Sequence, residues 1–389
     1  VDGVPLRGGA LPTLRTAPGQ SEELRVPAGG LPAAGECLLT LSFRLADATD
    51  WAPAGHEVAF AQFALPAPAR TRAPVVLPAR QGVLEGEEVP EGLVLSGPSF
   101  RLSFGASQGA LASWRLGGHE LLREGPRLDV WRAPTDNDAT TWGDEQAARQ
   151  WRAAGLDRLE HNVASLTAER LGPAVIRVCV AARAAAPDLE CGLAIGYTYD
   201  VCASGDVRVR VQVQPFGELP HLPRLGLRLA LPATFDQAIW YGRGPFETYP
   251  DRKTGARVGL YQSSVDALYY PYIRPQENGN RTDVRWVALT NSSAGVGLLA
   301  EGLPALNFAA LRYDAADLER ARHTHELRPR DAIIVHLDWR QSGLGGASCG
   351  PGRLPQYCVW PEPSAFSLRL RAFEGDTDAV TRLVAQPAF

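Results

Sequence analysis

Methionine is absent from the 389 residues of this chain, which begins with Val1. A complete translation product starts with an initiator methionine, so we expect a fragment or a processed chain. The first residues, VDGVPLRGGALP, lack the basic start and the apolar core of a secretory signal. No apolar run approaches the roughly 18 residues of a membrane-spanning helix, so no such helix is expected.

Cysteine and basic charge are also scarce. The six cysteines form no CxxC pair and are too few for a disulfide scaffold, which favours free, mostly buried thiols in a reducing cytosol. The net charge of −4 and the isoelectric point near 6.0 show no excess of basic residues. Nucleic acid and membranes are therefore not expected as partners.

Turn residues and short alternating apolar segments are abundant. The 31 prolines and 39 glycines suit many short strands joined by tight turns. ECLLTLSFRLA and HEVAFAQFAL predict two strands, and VRVRVQVQP (207–215) predicts a strand with one solvated face. Only EQAARQWRAAGL (145–156) has helical character. The pattern predicts an all-β protein.

Composition divides the chain into three parts. Residues 1–67 predict a small β-sandwich, and residues 68–85 predict a linker rich in Pro, Ala and Arg that its prolines stiffen. Residues 86–389 predict one large two-layer β-sandwich. No short repeat is visible, which argues against a propeller or a solenoid.

A histidine pair is the candidate metal site. On a strand, His323 and His325 would point to the same face, and Glu326 or His336 would supply a third ligand. A bare HxH pattern is weak, so strand histidines held by hydrogen bonds are favoured and no metal is predicted. No HExxH, Walker or dinucleotide-binding pattern appears, and GLGGASCG (343–350) lacks the features of a phosphate loop. No cofactor is expected in this chain.

Carboxylates near arginines are the candidates for acid–base chemistry. Glycoside hydrolysis needs two carboxyl groups about 5–9.5 Å apart. RAPTDND, GPFETYPDR and QENGNRTD each hold two acids, each within a few residues of an arginine. Pairing with arginine lowers the pKa of a carboxyl group, and a carboxyl group with a lowered pKa is a poor general acid. Arginine–carboxylate pairs also fix long loops. A structural role is therefore favoured for this network: Arg132, Asp136, Asn137, Arg243, Glu247, Asp251, Arg252, Glu277, Asn278, Arg281 and Asp283.

The same segments carry aromatic side chains, which point toward sugar binding. Carbohydrate sites combine an aromatic face with forked polar side chains. Core filling beneath the loops is the alternative, and it is favoured for most of them. The residues are Trp131, Trp142, Tyr249, Tyr269, Tyr270, Tyr272 and Trp286.

Several motifs in a fixed order resemble one protein family. They are WRAPTDND (131–138), LPRLGLRLALP (222–232), YGRGPFETYPDRK (241–253), YYPYIRPQENGNRTDVRW (269–286) and GLGGASCGPG (343–352). Together they are similar to the C-terminal domain of the β-galactosidases of glycoside hydrolase family 2. The first 65 residues resemble the immunoglobulin-like domain that precedes it. The resemblance covers nearly the whole chain and implies the super-sandwich fold shared with galactose mutarotases.

The resemblance implies that the catalytic residues lie elsewhere. In this family the acid/base and nucleophile glutamates belong to a preceding TIM barrel, where Mg²⁺ and a monovalent cation are expected. The chain then is the non-catalytic C-terminal part of an enzyme that removes terminal β-D-galactose with retention. The implied partners are the barrel portion or a large subunit, a β-galactoside or galactose, and the other chains of a homo- or hetero-oligomer.

One loop of this domain is implied to help wall the galactose pocket. In well-known members it carries a tryptophan, and Cys349 stands at the matching position. Because cysteine cannot stack on a sugar ring, this wall is expected to be less aromatic. The implied substrate-binding residues are Cys349, Ser348 and Gly346. Burial of the Cys349 thiol in a tight loop is the alternative.

Two other functions remain open. One is a stand-alone carbohydrate-binding or aldose-1-epimerase-like protein. An epimerase of this kind needs a histidine and a carboxylate at a concave face, and His221, His323 and His325 are available. A purely structural, oligomer-forming subunit is the third hypothesis. Fold alone does not separate them.

Overall fold

The computed structural model describes residues 1–27, 29–32, 35–66, 82–139 and 146–385. This part of the chain contains 19 strands and four short α-helices, which confirms the all-β prediction. None of these helices has the length and apolarity needed to cross a membrane. The chain divides into two units, Val1–Ala73 and Pro74–Phe389. The predicted linker at 68–85 falls mostly outside the described residues.

The first unit contains one antiparallel hairpin in its described residues. Strand β1 (Leu38–Arg44) pairs with β2 (Glu57–Ala64), so that Leu39 lies opposite Phe63. Both strands match the segments predicted from alternation. An isolated two-stranded hairpin is marginally stable, so an immunoglobulin-like sandwich in this unit stays a prediction.

The second unit starts with a five-stranded antiparallel sheet in the order β3-β4-β5-β6-β7. Gly92, at the turn between the first two strands, has a φ of +146°, and a Cβ there would lie 1.9 Å from the Phe104 carbonyl oxygen. The turn therefore requires glycine. The strands are β3 (Glu85–Val89), β4 (Gly92–Ser96), β5 (Phe100–Gly105), β6 (Ala110–Leu116) and β7 (His119–Glu120).

A 12-stranded antiparallel sheet makes up most of this unit. Its strands are β8 (Glu124–Asp129), β9 (Glu160–Gly172), β10 (Val175–Ala185), β11 (Gly192–Cys202), β12 (Asp206–Phe216), β13 (Arg224–Pro232), β14 (Gln237–Gly244), β15 (Arg257–Ser264), β16 (Arg281–Asn291), β17 (Val296–Leu311), β18 (Ala332–Gln341) and β19 (Ser364–Glu374). The main order is β15-β14-β16-β17-β19-β12-β11-β10-β9. A branch runs from β17 through β18 and β13 to β8.

Both sheets of the second unit share one apolar core. Leu95 and Trp114 of the small sheet belong to the same buried cluster as Val178, Val211 and Leu227 of the large sheet. This packing confirms the predicted large two-layer β-sandwich. Burial of this much apolar surface is the main favourable term in its stability.

Strand β12 shows how the sequence pattern sets the faces. Val209 and Val211 are fully buried, while Arg210 and Gln212 between and after them are exposed. This alternation confirms the predicted strand with one solvated face. Strand β13 differs, because its residues are buried on both faces.

The helices are short and lie in the connections. They are α1 (Ala147–Ala153), α2 (Val265–Leu268), α3 (Ala315–Arg320) and α4 (Thr377–Ala385). The first confirms the helical character predicted at 145–156, with narrower bounds. The 3₁₀ turns are Leu156–Arg158, Thr324–Glu326 and Pro355–Tyr357.

The placement of the histidine pair on a strand is wrong. His325 lies in the 3₁₀ turn Thr324–Glu326, and His323 is the residue just before it. The Leu327 backbone N–H donates to the Thr324 carbonyl oxygen at 3.2 Å. Local backbone hydrogen bonds thus close this segment into a turn, and it does not join the ladder of a neighbouring strand.

Candidate functional site

A glycine-rich loop, residues 343–350, follows β18 and is fixed by a buried arginine. Arg132 is fully buried, and its Nη1 donates to the Ser342 carbonyl oxygen at 2.6 Å. Its Nη2 donates to the Gly343 carbonyl oxygen at 3.0 Å. A side chain 210 positions earlier in the sequence therefore holds the start of the loop.

Two further side chains hold the middle of the glycine-rich loop. Asp251 accepts hydrogen bonds from the backbone N–H groups of Leu344 at 3.0 Å and Gly345 at 2.8 Å. Asn137 Nδ2 donates to the Gly345 carbonyl oxygen at 2.8 Å. Its Oδ1 accepts from the Ser348 backbone N–H at 3.0 Å and from the Ser348 hydroxyl at 2.7 Å. Segments far apart in sequence thus converge on this loop.

A buried ion-pair cluster supports these anchors. Asp138 is fully buried, accepts from Arg132 Nε at 3.1 Å and Nη2 at 2.9 Å, and also pairs with Arg353. Burial alone would raise the pKa of Asp138, but the charges of Arg132 and Arg353 outweigh it and hold that pKa below its ordinary value. Asp138 is therefore ionised at neutral pH and does not serve as a proton donor.

The tip of the glycine-rich loop is exposed. Ser348, Cys349 and Gly350 are exposed, whereas Ala347 beside them is buried. The Cys349 thiol is free and exposed, unlike the buried thiol of the alternative interpretation. Gly346 is half-buried just before the tip. Contact of these residues with a sugar stays a prediction.

An open cleft of about 490 Å³ shares Asp251 with the loop anchor. Glu247 at the cleft accepts from the Gly279 backbone N–H at 2.7 Å and pairs with Arg252 and the Tyr272 hydroxyl. The carboxylate is therefore fixed by three donors. The cleft is lined by Phe246, Glu247, Asp251, Arg252, Lys253, Thr254, Gly255, Tyr270 and Tyr272.

Another predicted acid, Asp283, is held by two cations. It forms ion pairs with Arg243 and Lys253. Burial would raise the pKa of Asp283, but hydrogen bonds from Arg243 and Lys253 outweigh it and lower that pKa. Arg243 also donates to the carbonyl oxygens of Lys253 at 3.1 Å and Ala256 at 2.7 Å, so the pair closes this loop.

Arg281 closes backbone segments in the same way. It donates to the carbonyl oxygens of Leu268 at 3.2 Å, Gly279 at 2.6 Å and Pro245 at 3.2 Å. Burial lowers the pKa of Arg281 to about 10, with the charge of Glu247 opposing that effect. The side chain therefore stays cationic at neutral pH.

The amides of the QEN segment complete these contacts. Asn278 accepts from the Tyr270 backbone N–H at 3.0 Å and donates to the Gln276 carbonyl oxygen at 2.9 Å. Gln276 Nε2 donates to Asp136 at 3.2 Å. The RAPTDND and QENGN segments are therefore joined by side-chain hydrogen bonds.

A second buried cluster, which no sequence motif predicted, is centred on Arg224. This side chain pairs with Glu277 at 2.7 Å and, less closely, with Asp338 at 3.4 Å. Gln341 Nε2 donates to Glu277 at 3.1 Å. Burial raises the pKa of Asp338 to about 6, although the charges of Arg224 and His336 oppose this. The sequence feature that could have predicted this cluster is the presence of charged residues inside the apolar segments LPRLGLRLALP and AIIVHLDWR.

A very small cavity lies beside this cluster. Its volume is about 10 Å³, and Arg224, Glu277 and His336 contribute to its lining. His336 Nδ1 lies 3.3 Å from Asp129. Burial would raise the pKa of Asp129, but the hydrogen bond and charge of His336 lower it to about 2. About one water molecule fits a cavity of this size.

The predicted aromatic residues separate into buried and exposed groups. Tyr249 and Trp286 are buried, as the core-filling interpretation predicts. Tyr270 is 54% exposed and lines the cleft with Tyr272. Trp131 packs against the main core, and Trp142 lies outside the described residues.

Sequence comparisons connect both units with one group of enzymes. The family described as beta galactosidase small chain matches residues 96–370, and the family described as beta-galactosidase, domain 4, matches residues 1–66. A β-galactosidase of Priestia megaterium is 38% identical over 331 residues, covering 85% of this chain and 31% of the relative. One from an Arthrobacter species is 34% identical over 377 residues, covering 91% and 35%. The chain thus spans about a third of these curated relatives.

Solved structures with a similar outline are much more distant. A GalM/aldose epimerase homologue from C. elegans has 10% sequence identity and a TM-score of 0.41, covering 75% of this chain and 100% of that one. The galactose 1-epimerase of Lactobacillus acidophilus has 9% identity and a TM-score of 0.38, covering 88% and 100%. These likenesses are too weak to bear on activity.

Proposed function

Since this chain belongs to the β-galactosidase small-chain family, we propose that it is the non-catalytic C-terminal portion of a β-galactosidase. The whole enzyme removes terminal β-D-galactose with retention, and this portion supports the catalytic barrel and helps wall the galactose pocket. The observation that carries the proposal is the glycine-rich loop. Its backbone is fixed by buried and half-buried side chains, whereas its tip at Ser348, Cys349 and Gly350 is exposed.

Three of the acids lack the properties of a general acid, which supports a non-catalytic role. A general acid needs a raised pKa and access to substrate. The pKa values of Asp138 and Asp283 are lowered by their cations. Asp338 has a raised pKa, but it is fully buried, and the cavity beside its cluster measures about 10 Å³. A hexose does not fit there.

Exposed apolar side chains near the loop support contact with another part of the enzyme. Phe246 and Tyr270 line the cleft and are each 54% exposed, and Ile273 is 90% exposed. Leu354 and Trp360, which follow the glycine-rich loop in the sequence, are also exposed. Exposed apolar residues that lie together often mark an interface, and the barrel portion is the partner proposed for the face that carries the cleft.

Complementation tests the proposal directly. The purified chain alone is expected to show no hydrolysis of a chromogenic β-galactoside. Mixing it with the matching barrel-containing fragment is expected to restore hydrolysis. The non-catalytic role would be contradicted if the chain alone hydrolysed the substrate and Glu247→Gln or Glu277→Gln abolished this activity. The supporting role would be contradicted if the two parts bound each other and the mixture stayed inactive.

Asn137→Ala is expected to lower kcat/KM of the assembled enzyme by about ten-fold. Asn137 holds the backbone of Gly345 and Ser348, and lost hydrogen bonds worth about 1–2 kcal/mol correspond to roughly that factor. The matched control is Asn162→Ala, an exposed residue of the edge strand β9. It is expected to leave kcat/KM unchanged. Equal kcat/KM values for the two variants would argue against a role for the loop.

The epimerase alternative finds less support in the site. Burial, together with the charge of Arg353, lowers the pKa of His221 to about 4. Arg353 Nη1 lies 3.0 Å from His221 Nε2. His323 and His325 are exposed on a surface turn. Following the optical rotation of fresh α-D-galactose is expected to show no acceleration by the chain, and clear acceleration would favour the alternative.

Other properties are proposed on the same basis. Mg²⁺ and a monovalent cation are assigned to the barrel portion, and assembly into a homo- or hetero-oligomer is expected of the whole enzyme. A cytoplasmic location is supported by the six free cysteines.

A further inference from the structure

The turn after α3 brings together three potential metal ligands. The ligand atoms of His323, His325 and Glu326 all lie within 4.8 Å of one another. His323 Nδ1 is 3.0 Å from Glu326 Oε1, and the two imidazole rings stack with centroids 5.5 Å apart at 16°. Among the described residues, no other group of at least three His, Cys, Asp or Glu side chains converges in this way.

The backbone that carries these ligands is held at both ends. Ala321 before the turn and Leu327 after it are buried in the same apolar cluster, together with Leu318. Within the turn, the Glu326 backbone N–H donates to the His323 carbonyl oxygen at 3.1 Å. The turn therefore presents its three side chains outward from a fixed base, which reduces the entropy lost when they bind an ion.

The Glu326 carboxylate is already oriented toward the histidines. Its Oε2 accepts from the Arg322 backbone N–H at 3.0 Å, which leaves Oε1 beside His323. Hydrogen bonds therefore hold the carboxylate next to the imidazole of His323.

We propose that His323, His325 and Glu326 form a surface site for a zinc-like transition-metal ion. Two imidazoles and one carboxylate form a ligand set that suits Zn²⁺. Neighbouring ligand atoms around tetrahedral Zn²⁺ lie about 3.3 Å apart, given bonds of about 2.0–2.1 Å. The contact of 3.0 Å between His323 Nδ1 and Glu326 Oε1 is a hydrogen bond, and an ion bound by both atoms would replace its proton. Mg²⁺ and Ca²⁺ prefer sets made of oxygen atoms and fit less well.

The exposure of the three ligands determines the coordination and the affinity expected at this site. All three side chains are exposed, so the fourth position is open to water or to a ligand of another molecule. Arg322 and Arg328 flank the three ligands in the sequence, and their charges oppose a cation. Binding is therefore expected to be weaker than at buried structural zinc sites. The site does not depend on the proposed supporting role in a β-galactosidase.

Calorimetric titration of the metal-free full chain with Zn²⁺ tests the proposal. The wild type is expected to bind one Zn²⁺ more than the variant His323→Ala/His325→Ala. Glu326→Gln is expected to weaken binding at this site by about 10–100-fold, since even outer-shell changes cost that much. The matched control is His119→Ala, an exposed histidine at β7, which is expected to bind as the wild type does.

Two further readouts keep the outcome distinct from misfolding. Substitutions at exposed side chains are expected to leave the circular dichroism spectrum unchanged. Co²⁺ bound to the wild type is expected to give visible absorption bands that the double histidine variant lacks. Equal Zn²⁺ stoichiometry and affinity in the wild type and the folded double variant would overturn the proposal.

Discussion

Replacing Asp138 with alanine is expected to lower the free energy of unfolding by about 3–5 kcal/mol, because it removes the carboxylate that two buried cations share. Arg132 and Arg353 both pair with Asp138, and the side chains are at most 1% exposed. Urea denaturation of the wild type and the variant measures this change. The hydrogen bonds from Arg132 to the glycine-rich loop are expected to weaken as well.

A matched substitution distinguishes the effect of losing a buried ion pair on stability from the effect of losing an exposed one. Asp188 also pairs with an arginine, Arg158, at 3.0 Å, but both side chains are largely exposed. Exposed pairs contribute little to stability, so Asp188→Ala is expected to leave the urea midpoint unchanged. If the two variants had the same midpoint, the buried cluster would not have the structural role assigned to it.

Replacing Arg224 with methionine is expected to cost about 3–5 kcal/mol at pH 8, because it removes the cation shared by Glu277 and Asp338. The loss is expected to be smaller at pH 5. Burial already raises the pKa of Asp338 to about 6, against an unfolded value of about 4, so the folded chain binds this proton more tightly. Stability therefore falls as pH rises through that range.

Without Arg224 the pKa of Asp338 would be higher, and this fall would continue above pH 6. Urea midpoints of the wild type and the methionine variant at pH 5 and pH 8 measure the difference. The double variant Arg224→Met/Asp338→Asn lacks the titrating group and is expected to lose the extra pH dependence. A deficit that is equal at both pH values would contradict this assignment.

The fold was readable from the sequence where one face of a strand is solvated. In β12 the alternation of valine with arginine and glutamine predicted both the strand and its buried face. In β13 both faces are buried, so the sequence pattern does not predict which groups surround Arg224 at its start. Arg224 lies opposite Gln341 in the register of β13 and β18, and only this tertiary pairing shows that it meets Glu277 and Asp338.

The candidate site was readable in part, for a similar reason. The arginine- and acid-rich segments suggested loop fixation, but their partners in the structure include backbone groups more than 90 positions away. Such contacts leave no local pattern. The spacing of the two histidines fits the period of a strand, whereas burial of Ala321 and Leu327 in one cluster favours a turn.

The distances along the chain between the loop and its anchors have a kinetic consequence. Arg132 and Asn137 reach positions about 210 residues later, so these contacts need β8 and β18 to be joined through β13 first. The glycine-rich loop is therefore expected to be among the last parts to acquire its native arrangement during refolding. A chain that has collapsed but not finished folding would thus have a disordered loop tip. Such a chain is expected not to complement the barrel portion, whereas the fully folded chain does.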